Sequence, residues 1–338
     1  MATITKRGDY QWQVKIRRNG YPSQSRTFET KEAAEKWARS VEREMDTGDF
    51  LDRREADKNT FAAILKRYQR EITPSKKCAP IEAIKIDVLL RDDIAKAKMS
   101  ALSGVLLAEW RDRRLKAVSS ATVNREIDII SAVISQARKE WGVHIDNPVE
   151  LIRRPPKPKG RERRLVGDEE ARLMAALNEA PRRPDGTYGG GTRNPWVKPI
   201  VVFAIETAMR RGEILALRWE NVDLHRQVAH LPDTKNGDSR DVPLSRRAVE
   251  TLRAIPRSIS GTVFPVTPNA LKKGFERAVD RAGMDDFHFH DLRHEAASRL
   301  AEKLANVLEL SAVTGHRDLR MLKRYYHPRA EDLARKLG

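Results

Sequence analysis

The sequence predicts an α+β protein that is mainly helical, with small β elements at two places. Three observations support this class. Apolar residues recur at helical spacing through most of the 338 residues, and polar–apolar alternation is confined to short stretches. A basic segment rich in proline also separates two helical regions. We therefore expect an N-terminal β-sheet with one helix, a helical second domain, and a mostly helical third domain with a small β-hairpin.

Residues 1–50 are predicted to form a small separate domain. Apolar and polar residues alternate from Tyr10 to Arg17, which is typical of a half-buried strand, and Asn19-Gly20 predicts a hairpin turn. Thr30 is a good N-cap for a following helix. The apolar face of that helix is expected to consist of Ala33, Trp37 and Val41.

Residues 58–150 contain only helical signals and are predicted to form a helical domain of about four helices. The last helix has the clearest pattern, and Gly142 is expected to end it. Its apolar stripe is Val123, Ile127, Ile130, Ile134 and Ala137.

Residues 151–164 are predicted to form an extended linker. The stretch "RRPPKPKGRERR" carries seven basic residues, three prolines and one glycine, a composition that supports neither a helix nor a strand.

Residues 165–338 are predicted to form the third domain. "FAIETAMRRGEILALRW" places Arg210 at the start of a helix, and "VAHLPDTKNGDSRDVPLS" predicts a β-hairpin with Lys235 at its tip. "FHFHDLRHEAASRL" places His290 and Arg293 three residues apart at another helix start. His316 follows a glycine turn in "SAVTGHRDLRMLKRYYH".

The composition indicates a polyanionic partner. The net charge is +17, and each lysine or arginine that replaces a condensed counterion on a nucleic acid gains free energy by releasing it. A ribosome-like structural role or an anionic membrane surface would suit the same charge. Cys78 is the only cysteine, and the N-terminus lacks the apolar core of a signal peptide. We therefore expect a cytoplasmic, nucleoid-associated protein without a membrane partner.

Two groups of side chains are candidate DNA contacts. The first is the outward face of the predicted N-terminal strand, and the second is the basic linker; a purely solvated surface is the alternative for both. The candidates are Gln11, Gln13, Lys15, Arg17, Arg153, Arg154, Lys157, Lys159, Arg161, Arg163 and Arg164.

The polar residues of the third domain resemble a known set. Taken in order, Arg210, Lys235, His290-x-x-Arg293, His316 and Tyr325 look like the Arg, Lys, His-x-x-Arg, His/Trp and Tyr set of the tyrosine recombinases, the phage integrase family. "TAMRRGEILALRW", "TKNGDSRDVPLS", "HDLRH" and "TGHRDLRMLKRYYH" match its four motif boxes in order and spacing. The residues within these motifs are also similar to those of the shufflon-type DNA invertases.

The resemblance is close over residues 165–338, which look like the catalytic domain of the family. It is looser over the other two domains: residues 1–50 look like the arm-type DNA-binding domain of longer integrases, and residues 58–150 like the core-binding domain. Two positions differ from many members. Ala208 and Leu304 stand where glycine is common.

The residue types suit the chemistry that the resemblance implies. A tyrosine nucleophile conserves the energy of a DNA phosphodiester as a 3′-phosphotyrosyl link, and two guanidiniums can hold the phosphate oxygens. Tyr325 is expected to be the nucleophile, and Arg210 and Arg293 are expected to bind the phosphate. Lys235 would donate a proton to the leaving 5′ oxygen, and His290 would accept the proton of the nucleophile. His316 would hydrogen-bond a non-bridging oxygen, and Glu213 would hold an arginine or histidine in place.

Three cations at the phosphate make a metal ion unnecessary, and the absence of a P-loop argues against ATP, so no cofactor is expected. The resemblance implies double-stranded DNA with specific recombination sites as substrate and a homo-tetramer on that DNA. It also allows for DNA-bending accessory proteins. The C-terminal tail, with its stripe of Ala330, Leu333 and Leu337, would dock either on a neighbouring copy or back on its own domain.

Three functions remain in competition. The first is site-specific recombination, with integration, excision and inversion all open. The second is relaxation of DNA by a type IB topoisomerase, against which the arm-like domain speaks. The third is a DNA-binding regulator without catalysis, against which the complete set of six residues speaks. His288 is expected to be structural, and His294 and His327 are expected to pack or to contact the DNA backbone. Tyr326 is expected to lie in an interface or to pack.

Overall fold

The computed structural model describes residues 2–48, 50, 52–232, 239–304 and 306–326. The chain divides into two compact units, Met1–Lys159 and Gly160–Gly338. The second unit has one hydrophobic core, and the first has two separate clusters of buried apolar side chains. Each unit combines helices with one three-stranded antiparallel sheet, which confirms the predicted α+β class.

The first unit begins with a sheet backed by one helix. Its elements are β1 (Ala2–Gly8), β2 (Gln11–Ile16), β3 (Gln24–Phe28) and α1 (Lys31–Thr47), with the strands in sequence order. Gly20 has φ 84° in the turn between β2 and β3, and the Thr30 hydroxyl accepts a hydrogen bond from the amide of Ala33 at 3.2 Å. The predicted hairpin and N-cap are therefore confirmed.

The apolar face of α1 differs from the prediction in part. Val41 is buried as expected, but Ala33 is exposed. The buried residues that pack on the sheet are Ala34, Ala38, Val41 and Met45, and Trp37 packs against the same cluster as a partly buried residue, as predicted. These follow one stripe with helical spacing, and Ala33 lies about 100° away from Ala34 around the helix axis.

The rest of the first unit is helical. Its helices are α2 (Arg54–Lys58), α3 (Phe61–Glu71), α4 (Ala79–Arg91), α5 (Gly104–Leu115) and α6 (Ser120–Glu140), joined by short 3₁₀ turns. All five residues of the predicted α6 stripe are buried, and Gly142 adopts φ 66° just after the helix. The chain from Arg153 to Val166 contains neither helix nor strand, as its composition predicts.

The second unit is built around a buried helix. Its elements are α7 (Glu169–Ala176), α8 (Val197–Thr207), α9 (Arg211–Ala216), β4 (Val222–Asp223), β5 (Val228–Leu231), β6 (Arg240–Pro243), α10 (Arg246–Ala254), α11 (Pro268–Arg281), α12 (Asp291–Lys303) and α13 (Val307–Thr314). Helix α8 packs against both α10 and α12, and it is apolar on nearly every side. The C-terminal end of α8 lies next to the first turn of α12, where Arg293 donates to the carbonyl of Ala208. The polar residues of the candidate site lie around this junction.

The boundary between the two units lies between Lys159 and Gly160, inside the predicted linker. The domain limits at residues 50, 58, 150 and 165 stay a prediction. None of the helices in the described part of the chain is both long and apolar enough to cross a lipid bilayer. Within the same residues, no three His, Cys, Asp or Glu side chains are grouped so that they could share a metal ion.

Candidate active site

Arg210 is held in place by the turn between α8 and α9. Helix α8 ends at Thr207, and the next residue, Ala208, adopts the left-handed conformation with φ 51°, which explains why glycine suits this position. Arg210 caps α9, and its backbone amide donates to Glu213 Oε2 at 2.8 Å while its Nη1 donates to Glu213 Oε1 at 2.8 Å. Its Nη2 donates to the carbonyl of Gly315 at 3.4 Å. Glu213 thus sets the direction of the Arg210 guanidinium.

Glu213 also binds a second arginine. Arg240, at the start of β6, donates from Nη1 to Oε1 at 3.1 Å and from Nη2 to Oε2 at 2.8 Å. Burial alone would raise the pKa of Glu213, but the hydrogen bonds from Arg240 and Arg210 outweigh it and lower the pKa to about 2. The carboxylate therefore stays ionised at every pH at which the protein would be assayed.

Arg293 is a buried guanidinium in the first turn of α12. It is 5% exposed, and it donates from Nη1 to the carbonyl of Ala208 and from Nη2 to the carbonyl of Thr314 at 2.6 Å. Burial, followed by the neighbouring charge of Arg210, lowers the pKa of Arg293 to about 10. The group remains charged near neutral pH, and its direction is determined by the ends of α8 and α13.

His316 follows the left-handed turn at Gly315, which has φ 68°. Its Nε2 lies 3.4 Å from Arg293 Nη2, and its Nδ1 lies 2.7 Å from the hydroxyl of Thr314. Since an arginine can only donate, Nε2 is the acceptor and the ring proton lies on Nδ1. Burial and then the charge of Arg293 lower the pKa of His316 to about 4, so the ring is neutral.

Tyr325 lies in a turn whose anchor is the fully buried Leu322, the acceptor of its backbone amide at 2.9 Å. The Tyr325 hydroxyl is hydrogen-bonded to Nδ1 of His294. Burial raises the pKa of the Tyr325 phenol, and the charges of Arg324 and Arg293 oppose that rise. The ring centroid lies 6.4 Å from that of His316, so the hydroxyl is near the guanidinium–imidazole cluster.

The structure brings together most of the residues singled out in the sequence. Arg210, which is bonded to Glu213, and Arg293, which contacts His316, donate to the adjacent carbonyls of Gly315 and Thr314. Tyr325 lies beside them, with its ring next to His316 and its hydroxyl on His294. The exposed His290 is next to this group, with its ring centroid 5.2 Å from that of His294. Lys235, the hairpin tip, His327 and the C-terminal tail lie outside the described residues.

Two residues of the site were missed in the sequence. His294 was expected to pack or to contact DNA, yet it binds the Tyr325 hydroxyl; its position four residues after His290, one helical turn away, was a usable signal. Arg240 carried no signal of its own, because its contact with Glu213 spans 27 residues of chain.

The candidate DNA contacts differ from one another in their surroundings. Several linker arginines are engaged in ion pairs with carboxylates: Arg154 with Asp128, Arg161 with Asp286 and Asp291, Arg163 with Glu169, and Arg164 with Glu295. The side chains of Arg153, Lys157 and Lys159 have no such partner among the described residues. Gln11, Lys15 and Arg17 are exposed, and Gln13 is half-buried beside Arg7 and Ser25.

The chain is similar to known proteins over most of its length. The model of the phage integrase family matches residues 163–332. The shufflon-specific DNA recombinase of Escherichia coli is 42% identical over 289 residues, which cover 83% of this chain and 72% of the relative. A putative integrase/recombinase of Haemophilus influenzae is 34% identical over 345 residues, covering 99% of this chain and 88% of the relative.

Solved structures show the same fold. A lambda integrase dimer bound to a COC′ core site matches with a TM-score of 0.64 at 19% identity, covering 98% of this chain and 95% of that one. The Tn1549 transposon integrase in complex with circular intermediate DNA matches with a TM-score of 0.62 at 18% identity, covering 82% and 99%. This chain therefore belongs to the phage integrase family and is a tyrosine-type site-specific recombinase.

Proposed function

We propose that this recombinase cuts and rejoins double-stranded DNA at specific sites through a covalent link between Tyr325 and the 3′ phosphate. The observation that supports this most directly is the contact of the Tyr325 hydroxyl with the His294 imidazole, next to His316, whose ring contacts the Arg293 guanidinium. In the cutting step, the tyrosine oxygen bonds to phosphorus and the bond from phosphorus to the 5′ oxygen breaks. A 5′ hydroxyl then attacks the phosphotyrosine, which releases the tyrosine and rejoins the strand.

Arg210 and Arg293 are proposed to bind the non-bridging oxygens of the phosphate. Both guanidiniums are held by acceptors on the protein, Glu213 for Arg210 and two backbone carbonyls for Arg293. Groups held in this way need little reorganisation when charge shifts in the transition state. His316 is proposed to donate a hydrogen bond from Nε2 to the same oxygens, which requires that its ring proton shift from Nδ1 to Nε2 once the phosphate displaces it from Arg293.

Lys235 is proposed to protonate the leaving 5′ oxygen, on the strength of its position in the family motif. With Arg210 and Arg293 it supplies three positive charges, so the proposed reaction needs neither a metal ion nor ATP. The stored energy of the phosphotyrosine drives rejoining.

Two histidines are candidates for the proton of Tyr325. The family motif favours His290, whereas the hydrogen bond favours His294. Burial, followed by the charge of His290, lowers the pKa of His294 below 6.5, so its ring is neutral and able to accept a proton near neutral pH. We propose that His294 receives the proton and that His290 assists it.

This role predicts a pH dependence. We expect His294→Phe to slow single-turnover cleavage about 10²-fold at neutral pH, because it removes the acceptor and keeps a ring. The wild-type rate should fall only as the pH drops below 6.5, the ordinary value for histidine, and the variant should lose this acid-side decline. His288→Phe, at an exposed histidine, is the control and should behave as wild type. Equal rates for His294→Phe and wild type at every pH would contradict the role.

Partners are proposed from the relatives. A lambda integrase tetramer bound to a Holliday junction matches this chain with a TM-score of 0.63 at 19% identity, which motivates a homo-tetramer on paired DNA sites. The tail from residue 327 onward is proposed to dock on a neighbouring copy, and DNA-bending proteins are proposed accessories. Residues 1–50 and 58–150 are proposed as arm-type and core-binding domains, with the exposed Lys157 and Lys159 in the linker 151–164 contacting the DNA backbone.

Covalent trapping tests the proposed function. The protein is incubated with fragments of genomic DNA that include the surroundings of its own gene, denatured with detergent, and the attached DNA is recovered and sequenced. We expect protein linked to a 3′ end at a recurrent sequence, with a free 5′ hydroxyl on the other side. A duplex nicked close to that position should then accumulate the adduct. No adduct under any of these conditions, or linkage to a 5′ end, would sink the proposal.

A further inference from the structure

Glu213 is shared by two arginines that differ in their access to a phosphate. The Arg210 guanidinium donates to one oxygen of Glu213 from Nη1 and to the carbonyl of Gly315 from Nη2. Arg240 binds both carboxylate oxygens, at 3.1 and 2.8 Å, with a side chain that is 11% exposed. Its geometry is the paired arrangement in which guanidinium and carboxylate match each other best.

The charges in this group decide what Arg210 can do. One carboxylate and one guanidinium in contact form a pair with no net charge, and such a pair attracts a phosphate weakly. The carboxylate is 6% exposed, so water screens it poorly and its negative charge would oppose the phosphate strongly. A second guanidinium on Glu213 gives the three groups a net charge of +1.

Packing keeps Arg240 on Glu213. The Nε of Arg240 is buried and has no hydrogen-bond partner among the described residues. The hydrogen bonds of its two Nη groups therefore have to offset the cost of removing the guanidinium from water. A Cβ added to Gly315 would lie 2.7 Å from Nη1 and 2.9 Å from Cζ of Arg240. The glycine turn before His316 therefore leaves room for this guanidinium and limits its movement.

We propose that Arg240 is a positioning residue that offsets the charge of Glu213, so that Glu213 can orient Arg210 without cancelling the positive charge that Arg210 presents to the scissile phosphate. This inference rests on the proposed function. It explains why a buried carboxylate can lie in a site that must bind an anion. It also ties β6, the strand that follows the hairpin tip, to the phosphate-binding arginine.

The test is a double-mutant cycle on single-turnover cleavage of a nicked duplex at saturating protein, comparing wild type, Arg240→Met, Glu213→Gln and the double variant. We expect Arg240→Met to slow cleavage about 10²-fold, because Glu213 then opposes the phosphate. We expect the double variant to cleave about tenfold faster than Arg240→Met, because the opposing charge is gone. Arg240→Lys, which keeps the charge, should stay within about tenfold of wild type.

A matched control separates charge from stability. Arg114 also donates to both carboxylate oxygens of a buried glutamate, Glu126 in the first unit, from Nε and Nη2 at 2.9 and 2.9 Å, and it has no place in the site. Arg114→Met should lower the melting temperature and leave the cleavage rate of the folded protein unchanged. If Arg240→Met does not fold, Arg240→Lys and the double variant decide between the two roles.

The outcomes are distinguishable. Wild-type cleavage together with an equally active Arg240→Met overturns the inference alone. A double variant slower than Arg240→Met also overturns it, since two independent structural losses would add rather than compensate. If the wild-type protein forms no covalent complex in the trapping experiment, the proposed function is overturned and this inference with it.

Discussion

Replacement of Tyr325 by phenylalanine is expected to abolish the covalent protein–DNA complex while leaving DNA binding unchanged. The substitution removes one oxygen, the atom that contacts His294, and keeps the ring in its half-buried place. Without that oxygen the site has no nucleophile to hold the phosphate, so the adduct should fall below detection rather than decline by a factor. Denaturing gels would measure the adduct, and gel shifts with the same duplex would measure binding.

The adjacent tyrosine supplies the control. Tyr326 is also half-buried, but neighbouring residues in a helix-like turn point about 100° apart, so one phosphate cannot be reached by both hydroxyls. The hydroxyl of Tyr325 is the one that is bonded to His294 Nδ1. Tyr326→Phe should therefore keep the adduct. Loss of the adduct in Tyr326→Phe, with retention in Tyr325→Phe, would reverse the assignment of the nucleophile.

The second large effect is expected for Arg293→Lys. The guanidinium of Arg293 donates from Nη1 to the carbonyl of Ala208 and from Nη2 to that of Thr314, and a single ammonium group cannot reproduce this pair of bonds. We expect cleavage at saturating protein to fall about 10³-fold, as it does when a transition-state donor is lost. We also expect a lower melting temperature, because a buried carbonyl loses its partner.

Arg299→Lys is the matched control for this prediction. It lies on the same helix, α12, and its guanidinium bonds Glu170 and Glu295 away from Tyr325 and His316. It should change stability modestly and leave the cleavage rate unchanged. An Arg293→Lys variant that is folded and cleaves within tenfold of wild type would show that a point charge suffices at this position.

The sequence predicts a turn or a helix start correctly where the residue type at that position permits few backbone conformations. The hairpin at Asn19-Gly20 follows from the positive φ of Gly20, and the start of α1 follows from the Thr30 cap. Strand β1 is not predicted by the sequence pattern. It lies at the edge of its sheet and most of its side chains are exposed, so the alternation of apolar residues is weak. An edge strand is specified largely by its neighbour.

The linker arginines show why DNA contacts are hard to predict from the sequence. Their charge density suggested phosphate contacts, yet Arg161 and Arg164 bond the buried carboxylates of Asp291 and Glu295, about 130 residues further along the chain. A basic segment looks the same in sequence whether its charges meet DNA or an internal carboxylate. Which of these residues contact DNA in a complex stays a prediction.

The sequence by itself determined the fold class, the family, and the order of the polar residues from Arg210 to Tyr325, because these depend on local periodicity and on motifs of a few residues. Only the tertiary structure placed His294 on the Tyr325 hydroxyl and Arg240 on Glu213, across 31 and 27 residues of chain. Such contacts arise when α8, α12, α13 and β6 pack around one core and bring their ends together. The charge and protonation of the site depend on those distances, which no local pattern in the sequence encodes.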